Sequence, residues 1–278
     1  MCVTCGCSED DGAAVITDMQ TGEQFLMHDN HEHPLSGHSH DHDHHHDHPH
    51  GPNHHHSNLP ATGTLHLQQQ ILAKNTLLAE RNRGWCAGRN LLALNLVSSP
   101  GSGKTTLLER TIRDLGSELP LHVIEGDQET ARDAERIRAT GCKVVQINTG
   151  TGCHLDAAMV NRGLKQLDPP TGSVVMIENV GNLVCPALFD LGEQAKVVIV
   201  SVTEGEDKPI KYPHMFRASD VMLLNKIDLL PHLSFDVERC FGYAREVNPR
   251  LRIMSISATR GDGLSEWYAW LRTQRNIL

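Results

Sequence analysis

The sequence has few aromatic side chains, no long apolar run and no Lys or Arg before Lys74. Its 278 residues include 3 Trp, 3 Tyr and 5 Phe, and its formal net charge is −9. Proteins held to nucleic acid by phosphate contacts need a basic face, so this charge argues against nucleic-acid binding. No apolar run approaches the roughly 18 residues of a membrane span, and the first residues lack the basic start and apolar stretch of a secretory signal. We therefore expect a cytoplasmic protein that binds neither nucleic acid nor a membrane.

Charge is distributed unevenly along the chain. Residues 1–73 contain ten acidic residues and no Lys or Arg, whereas residues 74–278 contain the other 24 acids and all 25 bases. Fourteen of the 19 histidines lie between His28 and His56, among Asp, Pro, Gly, Ser and Asn. Such a segment buries too little apolar surface to offset its ordering entropy. We predict an N-terminal cysteine segment (1–27) with at most one short strand, a disordered His-rich region (28–63) and a globular domain (64–278).

Apolar runs alternate with helical patterns in the globular part. Buried strands are predicted at Leu91–Val97, Leu121–Ile124, Val144–Ile147, Val174–Ile177, Val197–Val202, Val221–Leu224 and Ile253–Ile256. Helices are predicted before Gly84 and at Thr105–Leu115, Glu129–Thr140, Leu155–Leu167, Phe235–Val247 and Leu264–Arg272. Continuous apolar strands separated by helices are typical of a mostly parallel sheet covered on both faces. The predicted fold class is α/β.

A phosphate-binding loop follows the first of these strands, with the sequence Ser98-Ser99-Pro100-Gly101-Ser102-Gly103-Lys104-Thr105. Strand, Gly-rich loop and helix are the setting of a Walker A loop, in which backbone N–H groups surround phosphate oxygens. The lysine would bridge the β- and γ-phosphates, and the threonine would hold Mg²⁺. Serine replaces the first glycine of the pattern, so the start of the loop should differ slightly in shape. The nucleotide-contact candidates here are Gly101, Ser102, Gly103, Lys104, Thr105 and Thr106.

A base-recognition tetrapeptide, Asn225-Lys226-Ile227-Asp228, follows the strand Val221–Leu224. The Asp228 carboxylate can accept two hydrogen bonds from guanine, for which adenine has no equivalent donor pair. Asn225 suits the purine N7, and the Lys226 stem can cover the ring. Ser257 and Ala258, after the last strand, can supply a backbone N–H to guanine O6. The tetrapeptide alone is often a solvated turn, but behind a phosphate loop it indicates a GTPase.

Two acidic residues follow predicted strands next to the expected γ-phosphate. Asp127 and Glu178 could hold Mg²⁺ or position the attacking water, although either could simply cap a helix. Gly181 follows Glu178 in a Glu-x-x-Gly pattern, and its backbone could sense the γ-phosphate. The catalytic candidates are Lys104, Asp127 and Glu178. No arginine finger is evident, so slow intrinsic hydrolysis is expected.

Soft-metal ligands are concentrated in the N-terminal quarter. Cys2, Cys5 and Cys7 lie in Cys-Val-Thr-Cys-Gly-Cys and could wrap one Ni²⁺, Zn²⁺ or Cu ion, with the α-amino group as a fourth ligand. The alternative is a set of reactive surface thiols. The His tract, through imidazoles including His44, His45, His46, His54, His55 and His56, could store several ions and release them below roughly pH 6.5. It could also be a solvating spacer.

A second cluster is possible within the globular domain. Cys153 and His154 open a predicted helix, and Cys185 precedes Pro186 four residues after Gly181. The strand order could bring the two segments together on the nucleotide side. From spacing alone, Cys153 is equally compatible with a buried packing residue, and His154 with a helix cap. Cys86, Cys142 and Cys240 have no partner spacing and are interpreted as packing residues.

The combined motifs resemble those of the hydrogenase nickel-incorporation GTPases, which help mature nickel–iron hydrogenases. The resemblance covers nearly all of residues 64–278 and the N-terminal Cys-x-x-Cys-Gly-Cys. Its specific marks are Glu125-Gly126-Asp127-Gln128, Gly152-Cys153-His154-Leu155-Asp156, Glu178-Asn179-Val180-Gly181-Asn182-Leu183-Val184-Cys185-Pro186 and Glu204-Gly205-Glu206-Asp207-Lys208-Pro209.

That resemblance implies a P-loop NTPase fold and a set of ligands. In the family the Cys-His pair and the Cys before Pro bind Ni²⁺ or Zn²⁺ near a GTP-dependent dimer interface, which points to Cys153, His154 and Cys185. It likewise implies a tighter nickel site at Cys2, Cys5 and Cys7. Expected partners are a second copy of the chain, a companion nickel-binding maturation protein and the hydrogenase large-subunit precursor.

The resulting hypothesis is a nickel metallochaperone that uses GTP and Mg²⁺ to deliver its metal to hydrogenase. Three alternatives remain at the level of sequence. A urease-type nickel GTPase is disfavoured by the cysteine cluster and the Val-Cys-Pro segment. A nickel buffer with a vestigial GTPase would not depend on Lys104. An ATP-dependent small-molecule kinase would show no preference for GTP.

Overall fold

The computed structural model describes residues 14–27, 32–34, 61–128 and 132–277. Within these residues ten strands form one sheet, in the spatial order β10-β9-β8-β4-β7-β5-β6-β1-β2-β3. The strands are β1 (Val15–Asp18), β2 (Gln24–Met27), β3 (Glu32–Pro34), β4 (Leu92–Ser98), β5 (Leu121–Asp127), β6 (Lys143–Asn148), β7 (Val174–Glu178), β8 (Ala195–Ser201), β9 (Val221–Asn225) and β10 (Arg252–Ser255).

Helices connect the strands of the sheet. They are α1 (Ala61–Gly88), α2 (Lys104–Leu115), α3 (Arg132–Arg138), α4 (Ala157–Leu167), α5 (Lys208–Lys211), α6 (Pro213–Arg217), α7 (Val237–Val247) and α8 (Leu264–Ile277), with short 3-10 turns at Cys185–Ala187 and Ile227–His232. None of the described helices combines the length and apolarity that crossing a membrane requires.

Strands β4 to β10 pair in parallel, and successive residues of each strand point to opposite faces. In β4, Leu94 packs in a core with Leu108 of α2 and Trp267 of α8, whereas the neighbouring Ala93 packs in a second core with Leu164 of α4. Helices therefore cover both faces of the sheet. This arrangement confirms the predicted α/β class and all seven predicted strands.

The structure differs from the prediction at several element ends. Strand β10 begins and ends one residue earlier than expected, and α3 ends at Arg138, two residues before the end of the predicted Glu129–Thr140. Helices α5 and α6, between β8 and β9, were not predicted, because four- and five-residue helices show no helical apolar period.

The N-terminal region contributes three strands, where at most one was predicted. Strand β1 pairs antiparallel with β6 and with β2, and β2 pairs with β3. Strand β3 and the start of α1 lie inside the segment predicted to be disordered. Strands pair through backbone hydrogen bonds, which do not depend on apolar side chains. The low apolar content of the segment therefore did not indicate that it would form strands.

Parallel strands place their carboxyl ends at one edge of the sheet, which is where ligands bind in open α/β folds. Strands β4, β5, β7 and β9 end there at Ser98, Asp127, Glu178 and Asn225. The sheet therefore brings together four of the five segments in which nucleotide or Mg²⁺ contacts were predicted, and Ser257 and Ala258 follow the end of β10.

Candidate nucleotide and metal sites

The loop from Ser98 to Lys104 has the backbone geometry that a phosphate cradle requires. Gly101 has φ 75° and Gly103 has φ 97°, values in the left-handed region that favours glycine. A Cβ on Gly103 would also lie 2.6 Å from Nδ2 of Asn225. Helix α2 begins immediately afterwards at Lys104, so its positive dipole end faces the loop.

Ser98, which replaces the first glycine of the pattern, holds the lysine of the loop. Nζ of Lys104 donates to Oγ of Ser98 at 3.0 Å, and that hydroxyl donates to the carbonyl of Ser99 at 2.7 Å. The hydroxyl therefore provides a resting partner for the ammonium group within the loop.

Asn225 and Lys226 join the base-recognition segment to the phosphate loop. Nδ2 of Asn225 donates to the carbonyl of Ser102 at 2.9 Å, and Nζ of Lys226 donates to the carbonyl of Gly101 at 2.7 Å. Oδ1 of Asn225 accepts the amide of Ala258 at 3.1 Å. Asn225 thus joins its own segment to the phosphate loop and to the segment at Ala258. The sequence analysis predicted only a contact of Asn225 with purine N7 and did not include this role.

Asp228 is oriented by Ser257, whose hydroxyl donates to Oδ1 at 2.6 Å. The amide of Ser257 donates to the carbonyl of Asp262 at 2.9 Å, and the amide of Ala258 is engaged by Asn225. Both residues therefore help to build the base-recognition loop. A direct backbone donor from this segment to guanine O6 stays a prediction.

Three oxygen-bearing side chains lie beside the phosphate loop. The hydroxyl of Thr105 donates to Oε1 of Glu178 at 2.7 Å. Oε2 of Glu178 is buried and has no hydrogen-bond partner among the described residues. Asp127 and Thr105 line one cleft, and Oδ1 of Asp127 accepts a hydrogen bond from the amide of Gln128 at 2.7 Å. A hydroxyl and carboxylates form the hard-oxygen donor set that Mg²⁺ prefers, so these residues fit that ion.

Glu125 is a buried acid that the sequence prediction did not assign to the site. It lies directly opposite Glu178 on the neighbouring strand, and the residue is 2 % exposed. Burial, and secondarily the charge of Glu178, raise the pKa of Glu125 to about 9. Burial also raises the pKa of Glu178, and the nearby Lys104 opposes that shift. An acidic residue inside an otherwise apolar strand was the signal in the sequence.

A cleft of about 520 Å³ is lined by the phosphate loop from Pro100 to Thr105, by Asp127 and by Gly181. Thr106 and the guanidinium of Arg136 on α3 also line it. Arg136 pairs with Glu109 at 2.9 Å and with Asp133 at 3.1 Å. Sequence reasoning missed Arg136, because a charged residue on an exposed helix face has no distinguishing pattern.

Gly181 lies against the phosphate loop. A Cβ at this position would lie 3.1 Å from Cγ and 3.2 Å from Cα of Pro100, so a larger residue would push the two loops apart. The segment after β7 therefore contacts the nucleotide cleft directly. Val180 also lines that cleft.

Cys153, His154 and Cys185 come together at the far end of this segment. Sγ of Cys153 lies 3.1 Å from Sγ of Cys185 and 3.7 Å from Nδ1 of His154, and the three ligand atoms lie within 4.8 Å of one another. Cys153 and His154 were predicted to open a helix, but α4 begins at Ala157, capped by Asp156. They lie in the preceding loop, where both side chains can turn towards Cys185.

The surroundings of His154 favour metal binding by the cluster. Burial lowers the pKa of His154, which favours the neutral imidazole that binds metal. Its ring packs against Phe189, with centroids 4.0 Å apart. Burial raises the pKa of the thiols of Cys86, Cys142 and Cys240, which makes them poor ligands and supports their interpretation as packing residues.

The remaining predicted ligands lie outside the described residues. These are Cys2, Cys5, Cys7, His44, His45, His46, His54, His55 and His56.

The sequence of the chain is similar to those of known proteins. Residues 92–255 match the family model described as CobW/HypB/UreG, nucleotide-binding domain. The chain is 58% identical over 234 residues to the hydrogenase maturation factor HypB of Azotobacter vinelandii, covering 81% of this chain and 77% of the relative. It is 60% identical over 211 residues to HypB of Escherichia coli K12, covering 76% of this chain and 73% of the relative.

Two solved structures have a similar fold. HypB from Archaeoglobus fulgidus is 42% identical, with a TM-score of 0.68 over 73% of this chain and 99% of that chain. HypB from Helicobacter pylori, solved in complex with nickel, is 36% identical, with a TM-score of 0.69 over 73% of this chain and 96% of that chain.

Proposed function

The chain belongs to the HypB family of hydrogenase maturation factors, and from this premise we propose that it stores nickel and delivers it to hydrogenase under the control of GTP hydrolysis. The observation that carries the proposal is the continuity of one segment, residues 178–185. This segment contacts the phosphate loop at Gly181 and reaches the thiol cluster at Cys185.

The chain is a P-loop GTPase, and we assign its nucleotide contacts to residues of the cleft and of the base-recognition loop. Lys104 would leave the hydroxyl of Ser98 and neutralise charge on the β- and γ-phosphates. Asp228 would accept hydrogen bonds from guanine, while Asn225 and Lys226 hold the base loop against the phosphate loop. Further contacts are assigned to Gly101, Ser102, Gly103, Thr105, Thr106, Gly181, Ser257 and Ala258.

Mg²⁺ fits the oxygen donors of Thr105, Asp127 and Glu178, and when bound it would neutralise charge that develops on the γ-phosphate. Asp127 would also orient the attacking water. Arg136 is the cationic side chain of α3 that lines the cleft, but Glu109 and Asp133 both pair with it. We therefore expect slow, Mg²⁺-dependent hydrolysis.

Nickel is the cargo of this cycle. Two thiols and a neutral imidazole suit Ni²⁺ and Zn²⁺, so Cys153, His154 and Cys185 are assigned as the ligands of the GTPase domain. A tighter site is assigned to Cys2, Cys5 and Cys7. The His tract, including His44, His45, His46, His54, His55 and His56, is assigned to storage.

The proposed partners follow the same cycle. GTP would order the Asp127 and Glu178–Gly181 segments and favour a homodimer in the cytoplasm. Hydrolysis would then change the cluster at Cys185 and pass nickel to a companion maturation protein and the hydrogenase large-subunit precursor.

Complementation of a strain deleted for this chain tests the proposal. Lys104→Ala and Cys185→Ser should each lose hydrogenase activity, while Lys165→Ala, an exposed lysine on α4, should retain it. Hydrogenase activity that survives Lys104→Ala would instead support a nickel buffer with a vestigial GTPase. Loss of urease activity with normal hydrogenase activity would support the urease-type alternative.

A further inference from the structure

Four buried polar side chains lie in or beside the strands β4, β7 and β8. Asn95 of β4 is 0 % exposed, and Asn179, the residue after β7, is 1 % exposed. The side chains of Lys196 on β8 and Glu193 are 8% and 6% exposed. Buried polar groups are costly unless they are hydrogen-bonded, so the partners of these four indicate what they hold in place.

The four side chains form one continuous chain of contacts. Nδ2 of Asn179 donates to Oδ1 of Asn95 at 3.2 Å, and Nδ2 of Asn95 donates to Oε1 of Glu193 at 3.0 Å. The same Oε1 lies 3.6 Å from Nζ of Lys196. We refer to Asn179, Asn95, Glu193 and Lys196 as the polar relay.

One end of the polar relay lies beside the nucleotide cleft. Asn179 follows Glu178, which accepts the hydroxyl of Thr105, and precedes Val180, which lines the cleft. Oδ1 of Asn179 accepts the amide of Val180 at 3.0 Å. A change in this segment would therefore displace the Asn179 side chain.

Both ends of the polar relay hold the backbone of the thiol cluster. Oδ1 of Asn179 also accepts the amide of Leu155, the residue after His154, at 3.1 Å. At the other end Nζ of Lys196 donates to the carbonyl of Pro186, next to Cys185, at 3.0 Å. It also donates to the carbonyl of Phe189, whose ring packs against His154, at 3.3 Å.

We propose that the polar relay positions His154 and Cys185 and transmits the state of the nucleotide segment to them, with Asn179 as the connecting residue. The inference rests on the proposed coupling of GTP to nickel and names the side chains through which it acts. Along the chain, Gly181 is connected to Cys185 but not to Cys153 or His154. The polar relay also connects the nucleotide segment to the Cys153–His154 loop, which lies elsewhere in the sequence.

A matched pair of variants isolates this role. Asn179→Ala removes three hydrogen bonds, to Leu155, Val180 and Asn95. Asn248→Ala also removes three, to Phe216, Ser219 and Arg250, and lies far along the chain in the α7–β10 connection. Asn95→Ser breaks the relay at a second position and serves if Asn179→Ala fails to fold.

The measurement is nickel affinity with GDP and with a non-hydrolysable GTP analogue. It uses the full chain carrying Cys2→Ser, Cys5→Ser and Cys7→Ser, and follows thiolate-to-nickel charge-transfer absorption, to which histidines contribute nothing. The affinity ratio between the two states should fall in the range of about 5- to 150-fold typical of coupled sites. It should drop to about 1 in Asn179→Ala and Asn95→Ser, with a changed absorption spectrum, and persist in Asn248→Ala.

The alternative outcomes separate the inference from the function on which it rests. If the ratio persists in both relay variants, the polar relay does not couple the sites, although GTP still controls nickel. If the parent chain itself shows a ratio of 1, the proposed coupling fails and the polar relay has nothing to transmit. Equal loss of the ratio in Asn248→Ala would show a general effect of destabilisation and would also overturn the inference.

Discussion

Sγ of Cys153 lies 3.1 Å from Sγ of Cys185, although 31 residues separate them in the sequence. Neither cysteine forms a disulfide, and His154 completes a set of three soft ligands whose ligand atoms lie within 4.8 Å of one another. Two thiols held this close, one of them buried, are preorganised to chelate a single ion, because little side-chain ordering remains for the metal to impose.

Replacing a thiol of this cluster should weaken metal binding without unfolding the domain. In the full chain lacking Cys2, Cys5 and Cys7, we expect Cys185→Ser or Cys153→Ser to lower nickel affinity at least about tenfold, which corresponds to about 1.4 kcal/mol. Competition with a coloured chelator measures the change. Cys240→Ala, at a buried thiol outside the cluster, should retain parental affinity, and the same loss in that variant would contradict the assignment.

Removing the carboxylate charge of Asp228 should weaken the binding of guanine nucleotides. A hydrogen bond to a charged group contributes about 1.5–3 kcal/mol, so Asp228→Asn should raise the Kd for GDP by about 10- to 150-fold. Ser257→Ala removes the 2.6 Å hydrogen bond that orients Asp228 and should have a smaller effect in the same direction. Calorimetric titration with GDP and ADP gives both values, and unchanged GDP affinity in Asp228→Asn would refute the assignment of the base site.

Glu125 should make stability fall as pH rises. Its unfolded carboxyl loses its proton near pH 4.5, whereas burial raises the pKa to about 9 in the folded chain. The folded state therefore binds more protons between these values, and stability decreases across that window. Glu125→Gln removes this dependence and should stabilise the chain by on the order of 3 kcal/mol at pH 7.

Chemical denaturation between pH 5 and pH 9 checks this prediction. The difference in unfolding free energy between Glu125→Gln and the parent chain should increase with pH. Glu135→Gln, at an exposed acid on α3, is the control and should show little difference. A constant difference for Glu125→Gln across the range would show that the buried carboxyl does not titrate abnormally.

The His tract should determine how much nickel the chain holds rather than whether it delivers it. Deleting residues 28–56 should lower the number of nickel ions bound at saturation, since fourteen imidazoles are removed. Hydrogenase activity in cells should fall under nickel limitation and remain normal when nickel is plentiful. Unchanged stoichiometry would favour a solvating spacer.

Local motifs made much of the fold and of the nucleotide site predictable. The phosphate loop and the Asn225–Asp228 motif are each one unbroken stretch of sequence, and continuous apolar runs identified all seven parallel strands. Glu125 and Arg136 were missed because their roles depend on strand register and helix placement. The polar relay is likewise assembled across strands, and Asn95 and Lys196 show in sequence only as polar residues within apolar strands. Spacing alone left the roles of Cys153, His154 and Cys185 open, and the resemblance to the nickel-incorporation GTPases predicted them as metal ligands.

Nickel release measured together with GTP hydrolysis tests the central claim most directly. The full chain lacking Cys2, Cys5 and Cys7 is loaded with nickel, and metal capture by a chelator and phosphate release are followed after GTP addition. Nickel release should track phosphate release and should stop with a non-hydrolysable analogue or in Lys104→Ala. Nickel released at one rate with GTP, with the analogue and in Lys104→Ala would contradict a GTP-driven metallochaperone.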